Sequence, residues 1–496
     1  MASGIDALKD RFYDLNALGT SMSVLHWDQQ TYMPRGGAAA RAEHLGILSR
    51  MSHELLTSDE TAKLIDQAEG DTKGDEEAEG IVRNCRREFE NATKIPGKLV
   101  EEKSRLASHS HEAWVEARKT DDFSKFAPQL ERMVEITREE AEHLGYEDHI
   151  YDALIDMYEE GSSEAEARRV FDAIREPLVK LVKEIQDSGS PVDNRFLHGD
   201  WPEEKQAAFT QHLIANVGFN FDHGRQDVAP HPFCTNFSIG DVRLTTRFQR
   251  YLGSAIFGSL HEMGHGLYEQ GSPMKWDRTP LVGGVSLGVH ESQSRLWENI
   301  VGRSQAFWAK FLPDLQGTFP NLTTVKLDDF YRAVNKVEPS LIRVEADELT
   351  YNLHIMVRFE IEKDMLSGKL AVKDLPDAWN SRYEEYLGIT PNNDADGCLQ
   401  DVHWSMGSIG YFPTYTYGNL LSYQFWACLQ TDIPDAYDSI AQGEFDAIRE
   451  WLKDKIYSKG SLYRPQDLIK RVSGKPMEAD DYLNGVDKKF RAIYRI

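Results

Sequence analysis

The chain has 496 residues, 41% hydrophobic and 10% aromatic, enough for a sizeable core. Its 56 basic residues are outnumbered by 81 acidic ones, and the net charge of −25 argues against a nucleic-acid or anionic-membrane partner, since both want a basic face. No apolar run of about 20 residues is present to span a bilayer, and the scattered Cys85, Cys234, Cys398 and Cys428 form no paired motif, so reduced thiols and a cytoplasmic location are expected.

Met1 to Asp10 reads as an ordinary helix beginning, without the basic and apolar regions of a signal peptide. Apolar residues at three- and four-residue spacing predict helices over 5–30, 38–56, 76–93, 96–118, 122–142 and 163–188. The acidic stretch Gly70 to Gly80 reads as a solvated connection. Ser190 to Asp200 reads as a loop that leads to a helix start at Trp201-Pro202-Glu203-Glu204. Thr235 to Arg247 alternates polar and apolar residues around Ile239-Gly240-Asp241, a hairpin signal. Such an edge can either take up an extended peptide as an added strand or simply cap a helical core. Helical periodicity resumes over 251–270, 290–312, 342–366, 373–386, 418–430, 444–457 and 480–493. No repeat and no Pro/Ser-rich linker divides the chain, so a single large, mainly α domain over 1–496 with a small β-hairpin is expected.

The chemistry concentrates at His261-Glu262-Met263-Gly264-His265. Histidines at i and i+4 share one helix face, about 6 Å apart, and reach one metal ion. Glu262 between them suits a general base, which is the arrangement of zinc peptidases. A third ligand is needed. Glu269 lies at i+8 from His261, about 12 Å along the axis, so a single helix does not easily supply all three. The longer His-x-x-Gly-x-x-His extension is absent, with Tyr268 and Gly271 at its positions. The ligand is therefore expected from a second helix, His290 to Asn299, where Glu291 is the better choice and Glu298 is placed to accept a ligand histidine's N–H or to lie on the surface. His290 suits either a structural or a substrate-side role.

Several motifs occur in order along the chain: Leu25-His26-Trp27-Asp28-Gln29-Gln30-Thr31-Tyr32-Met33-Pro34, His231-Pro232-Phe233, Asp241-Val242-Arg243-Leu244-Thr245, the pentad at 261–265, His290-Glu291-Ser292-Gln293, Ile342-Arg343-Val344-Glu345-Ala346-Asp347, and Gly397-Cys398-Leu399-Gln400-Asp401-Val402-His403-Trp404. In these the chain resembles the metallocarboxypeptidases of the thermostable carboxypeptidase Taq family along essentially its whole length. The resemblance implies a helical, saddle-like fold with a long groove, with helices of 1–190 forming one wall and 230–430 carrying the metal site. It also implies a homodimer, zinc (Co2+ as an activating alternative), and release of single C-terminal amino acids from peptides with a free C-terminus.

Under that reading His261, His265 and Glu291 hold the metal and Glu262 is the general base. His403 and a tyrosine between Tyr411 and Tyr417, with Tyr411 and Tyr415 favoured, are the candidate oxyanion donors. An exopeptidase also needs a receptor for the terminal carboxylate. Arg343 is the first choice, because a guanidinium forks onto a carboxylate, and Arg243 and Arg247 are its rivals. Asp241, beside Arg243, is a further substrate-binding candidate, although it and Thr245 suit shaping the hairpin better than chemistry. The competing function is a related helical zinc endo-oligopeptidase or dipeptidyl-peptidase. A non-catalytic peptide binder is disfavoured by the intact Glu262.

Overall fold

The computed structural model describes residues 4–70 and 72–496; Met1–Ser3 of the predicted helix beginning and Asp71 of the acidic connection lie outside the described residues. The architecture is mainly α, with twenty α-helices and one three-stranded sheet among the described residues. None of those helices is long and apolar enough to cross a membrane. The chain packs into two compact units. The first takes residues 1–93, 193–334 and 422–476, and the second takes 94–192, 335–421 and 477–496.

The first unit opens with helices Gly4–Thr31, Ala38–Leu56, Asp59–Gly70 and Glu76–Lys94. Leu8, Phe12, Leu15, Ile65, Ile81 and Cys85 from these helices close over Trp276 and Leu281, building one core from their apolar stripes. The predicted hairpin is present as β2 (Cys234–Ser238) against β3 (Asp241–Thr246), antiparallel, with a register shift between Asn236 and Ser238. Val242 and Leu244 point inward and are fully buried, as the period of two requires. A further strand, β1 (Gly224–Val228), pairs in parallel with β3 and was not expected. Its sequence Gly-Arg-Gln-Asp-Val carries no apolar alternation, so its pairing comes from tertiary context. Gly224 is required there, because a Cβ would fall 2.4 Å from the Val242 carbonyl.

Against this sheet lies helix Leu252–Gly271, buried along nearly its whole circumference. Gly266 admits Phe219 and Leu244 on one side. Gly264 admits the backbone of Gln293 and Ser294 on another, where a Cβ would stand 2.6 Å from the Gln293 carbonyl. That close approach brings helix Leu287–Arg295 against the histidine face. The continuous helix expected over 290–312 is in fact three pieces. Leu287–Arg295 runs into a π-helical turn, Leu296–Val301, and a new helix starts at Gln305. Gly302 N–H reaches the Trp297 carbonyl at 2.8 Å, and the Ser304 hydroxyl caps the new helix at Phe307 N–H, 3.1 Å.

In the second unit, helices Glu164–Asp187 and Tyr351–Leu366 pack through Phe171 and Phe359, whose ring centroids are 4.9 Å apart. The helix expected from 342 starts only at Tyr351, preceded by a short turn at Arg343–Glu345. Asp347 explains the delay: its carboxylate accepts from Leu349 N–H, Thr350 N–H and the Thr350 hydroxyl at 3.0, 3.1 and 2.8 Å, satisfying the donors of the incoming turn. Helix Pro413–Asp432 begins five residues before the predicted 418, because Pro413 supplies a favourable first position. Tyr415 and Tyr417 therefore lie on a helix, and only Tyr411 stays in the turn before it.

Candidate metal centre and surrounding residues

All atoms of the metal cluster belong to the first unit. His261 and His265 stand one turn apart on helix Leu252–Gly271, ring centroids 4.9 Å apart. Their Nε2 atoms face Glu291 Oε2 at 3.5 and 3.4 Å. Three donor atoms from these residues lie within 4.8 Å of one another, a set that can surround a single small cation.

Each donor is held from behind. His261 Nδ1 is 2.9 Å from Glu298 Oε2. Glu298 is in turn clamped by Arg303 at 3.0 Å and Arg295 at 3.4 Å. The π-helical turn supplies this placement by adding a residue to the turn that carries Glu298. Arg295 Nε takes the other Glu291 oxygen, Oε1, at 2.7 Å, so only Oε2 faces the histidines. His265 Nδ1 meets His290 Nδ1 at 2.5 Å, and His290 Nε2 meets Glu269 Oε1 at 2.7 Å. Arg295, Arg303 and this use of His290 and Glu269 escaped sequence reading. The one available signal was the placing of arginines three residues before and five after Glu298.

The electrostatics differ from donor to donor. Burial opposes the Glu291 charge, but Arg295 and the two histidines hold its carboxyl well below the usual carboxylate range. Burial likewise opposes Glu298, yet His261 and the arginines take it down to about 2. Burial pushes His265 down to about 3, so its imidazole is neutral, as a metal ligand must be. For His261, burial is outweighed by Glu291 and the bond to Glu298, and its value lies above the ordinary one. Glu262, 6% exposed between the two histidines, is pushed up by burial to about 7 against the pull of His261.

Two other predicted residues are on β3 of this unit. Arg243 forks onto Asp241 of its own strand at 2.9 and 3.0 Å. Its guanidinium lies between Trp27, 4.2 Å from the ring centroid, and Phe237, 4.7 Å. The first motif thus meets the third through Trp27, and Tyr32 adds a bond to Asp227 on β1.

The remaining predicted residues are in the second unit. Arg343 is 5% exposed, and its Nε and Nη2 donate to Asp401 Oδ1 at 3.0 and 2.8 Å. Its Nη1 donates to the Tyr351 hydroxyl at 2.9 Å. Arg358, unnoticed in the sequence, donates to Asp401 Oδ2 at 2.6 Å and to Gln400 at 2.8 Å. Two guanidinium groups share one carboxylate, which leaves an excess positive charge in a buried cluster. Burial lowers His403, 3.8 Å from Asp401, to about 4, so its ring is neutral. Its ring centroid lies 5.5 Å from Tyr411 and 6.5 Å from Tyr415, and the two tyrosine rings pack edge to face at 5.3 Å. Glu362 anchors the segment bearing them. It accepts from Trp404 Nε1 at 2.8 Å, Gly410 N–H at 3.0 Å and the Tyr151 hydroxyl at 2.8 Å.

Comparison with known proteins points one way. The profile of the family described as Carboxypeptidase Taq (M32) metallopeptidase matches residues 7–490. Thermostable carboxypeptidase 1 of Thermus thermophilus is 42% identical over 482 residues, 94% of each chain. The protein of the same description from Pyrococcus furiosus is 41% identical over 480 residues, 96% of each chain. The crystal structure of an M32 carboxypeptidase from Deinococcus radiodurans superposes with a TM-score of 0.97 at 40% identity, covering 99% of this chain and 100% of that one.

Proposed function

Since the chain belongs to the carboxypeptidase Taq (M32) family and is a metallocarboxypeptidase, we propose that it releases single C-terminal amino acids of broad kind, with zinc held by His261, His265 and Glu291 and Glu262 as the general base. The observation that carries this reading is the donor set itself. Two imidazole nitrogens and one carboxylate oxygen within 4.8 Å of each other suit a catalytic zinc ion, and cobalt accepts the same set. When bound, the ion supplies Lewis acidity and lowers the pKa of water at the site.

The protein's own residues do the rest. The Glu262 carboxylate takes the proton of the attacking water and returns it to the leaving amine nitrogen. Its value of about 7 suits both duties. Neutral His403, with Tyr411 or Tyr415, donates to the oxyanion. The Arg343–Asp401–Arg358 cluster, with its surplus positive charge, receives the substrate's terminal carboxylate. Asp241 and Arg243, bonded to each other on β3, are the further substrate-binding candidates, with Arg243 the rival receptor. The reading extends to cytoplasmic residence, in keeping with the free thiols of Cys85, Cys234 and Cys398, and to a homodimer, which sedimentation velocity would reveal.

The test pairs a free-acid peptide with its C-terminally amidated twin, with and without chelator, read by mass spectrometry. Stepwise loss of single residues from the free acid only, abolished by chelator and by Glu262→Gln, is expected. Internal cuts in both peptides would instead mean an endopeptidase and would discard the Arg343 cluster as receptor.

A further inference from the structure

His261 and His265 are braced in different ways, and from the difference we propose that His290 and Glu269 form a relay that fixes His265 in its metal-binding tautomer. The proposal rests on the reading of His265 as a metal ligand.

The Glu269 oxygens both receive: Oε2 accepts the Asn236 amide at 2.7 Å and Oε1 faces His290 Nε2 at 2.7 Å. A ligand imidazole offers the lone pair of Nε2, so its hydrogen is on Nδ1. In His265 that Nδ1 stands 2.5 Å from His290 Nδ1, which receives it. His290 then has its own hydrogen on Nε2, where Glu269 Oε1 accepts it at 2.7 Å. The lone pair of His265 Nε2 is left on the side where Glu291 Oε2 stands 3.4 Å away. Every bond in the chain points the same way, from His265 through His290 to Glu269.

His261 achieves the same end in one step, through Glu298. For His265 the carboxylate is on the same helix one turn later, and the His290 ring bridges the gap. Neighbouring groups shape the place of the bridge. Tyr268 covers His290 with ring centroids 5.2 Å apart. Gly284 allows the ring its place, since a Cβ there would lie 2.5 Å from His290 Cδ2. Gly283, at φ +86°, leaves a similar gap beside Glu269, where a Cβ would lie 3.2 Å from Oε2. His290 and Glu269 are positioning residues, acting on the metal only through His265.

The test is Zn2+ affinity of the full chain, measured by competition with a chromophoric chelator, together with 15N NMR of the histidine tautomers in the metal-free protein. His290→Phe keeps the ring but removes both nitrogens, and Glu269→Met removes the terminal acceptor. Each is expected to weaken Zn2+ binding roughly 10- to 100-fold. His290→Asn, whose side-chain oxygen can replace Nδ1 as acceptor, is expected to recover most of the loss. His265 is expected as the Nδ1–H tautomer in the unmodified protein and to lose that preference in Glu269→Met. Thermal melting of the metal-free variants checks the fold, and if His290→Phe does not fold, the Asn and Met variants decide. Zn2+ affinity within twofold of the unmodified protein in Glu269→Met and His290→Phe, with His265→Ala losing the metal, would overturn the relay alone. Undiminished affinity in His265→Ala would overturn the ligand reading on which it rests.

Discussion

Burial decides what single side chains do here. Glu262 is an ordinary glutamate except for the apolar helix around it, which raises its carboxyl to about 7. A base must be unprotonated, so activity falls as pH drops through its pKa, and a nearby cation draws that pKa down. An acid limb in kcat/KM is therefore expected between the ordinary 4.5 and about 7. A flat profile across that window would remove Glu262 from the role. Glu362 shows the same physics without a metal. Burial lifts it to about 7 although three donors favour its charge. Its folded value exceeds its unfolded one, so its stabilising contribution is complete below about pH 4.5 and is lost as pH rises to about 7. The loss is on the order of 3 kcal/mol. Denaturant titrations at several pH values check it: Glu362→Gln is expected to flatten stability across that window, and an unchanged slope would count against the assignment.

At the level of elements, the site is built by two helices that approach closely. Gly264 is the contact point, with the Gln293 and Ser294 backbone where its side chain would be. Gly264→Ala is expected to cost about 1–3 kcal/mol by overpacking and to weaken metal binding by moving Glu291 outward. Calorimetry and chelator competition on one variant measure both, and a variant equal to the parent in both would show that the helices have slack. The π-helical turn at Leu296–Val301 is the second device. It stands where a regular helix would aim Glu298 elsewhere, and π-bulges commonly persist where a functional side chain depends on them.

Across the whole molecule, the charge of −25 is a self-repulsion that the fold tolerates. Moderate salt screens it over about 10 Å, so the melting temperature at neutral pH is expected to rise between low salt and about 0.1 M. A falling melting temperature would mean that specific ion pairs outweigh the general repulsion. The buried ion pairs of Asp401 and Glu291 are shielded from solvent and respond less to salt.

The helical class, most helix positions, the hairpin and the metal pentad are legible in the chain without its fold. These depend on local spacing, where periods of 3.6 and 2 and the i, i+4 geometry are written into neighbouring residues. Short helices such as Ile150–Asp156 and Leu327–Val334 escaped notice because two turns hold too few residues to establish a period. Tertiary structure decided everything that joins distant residues. The pairing of polar β1 with β3, the commitment of Arg343 to Asp401 beside Arg358, and the chain from His265 through His290 to Glu269 all belong to this class. A hydrogen bond or ion pair between such residues has no sequence period, and its partner is chosen only when packing brings both groups together out of water.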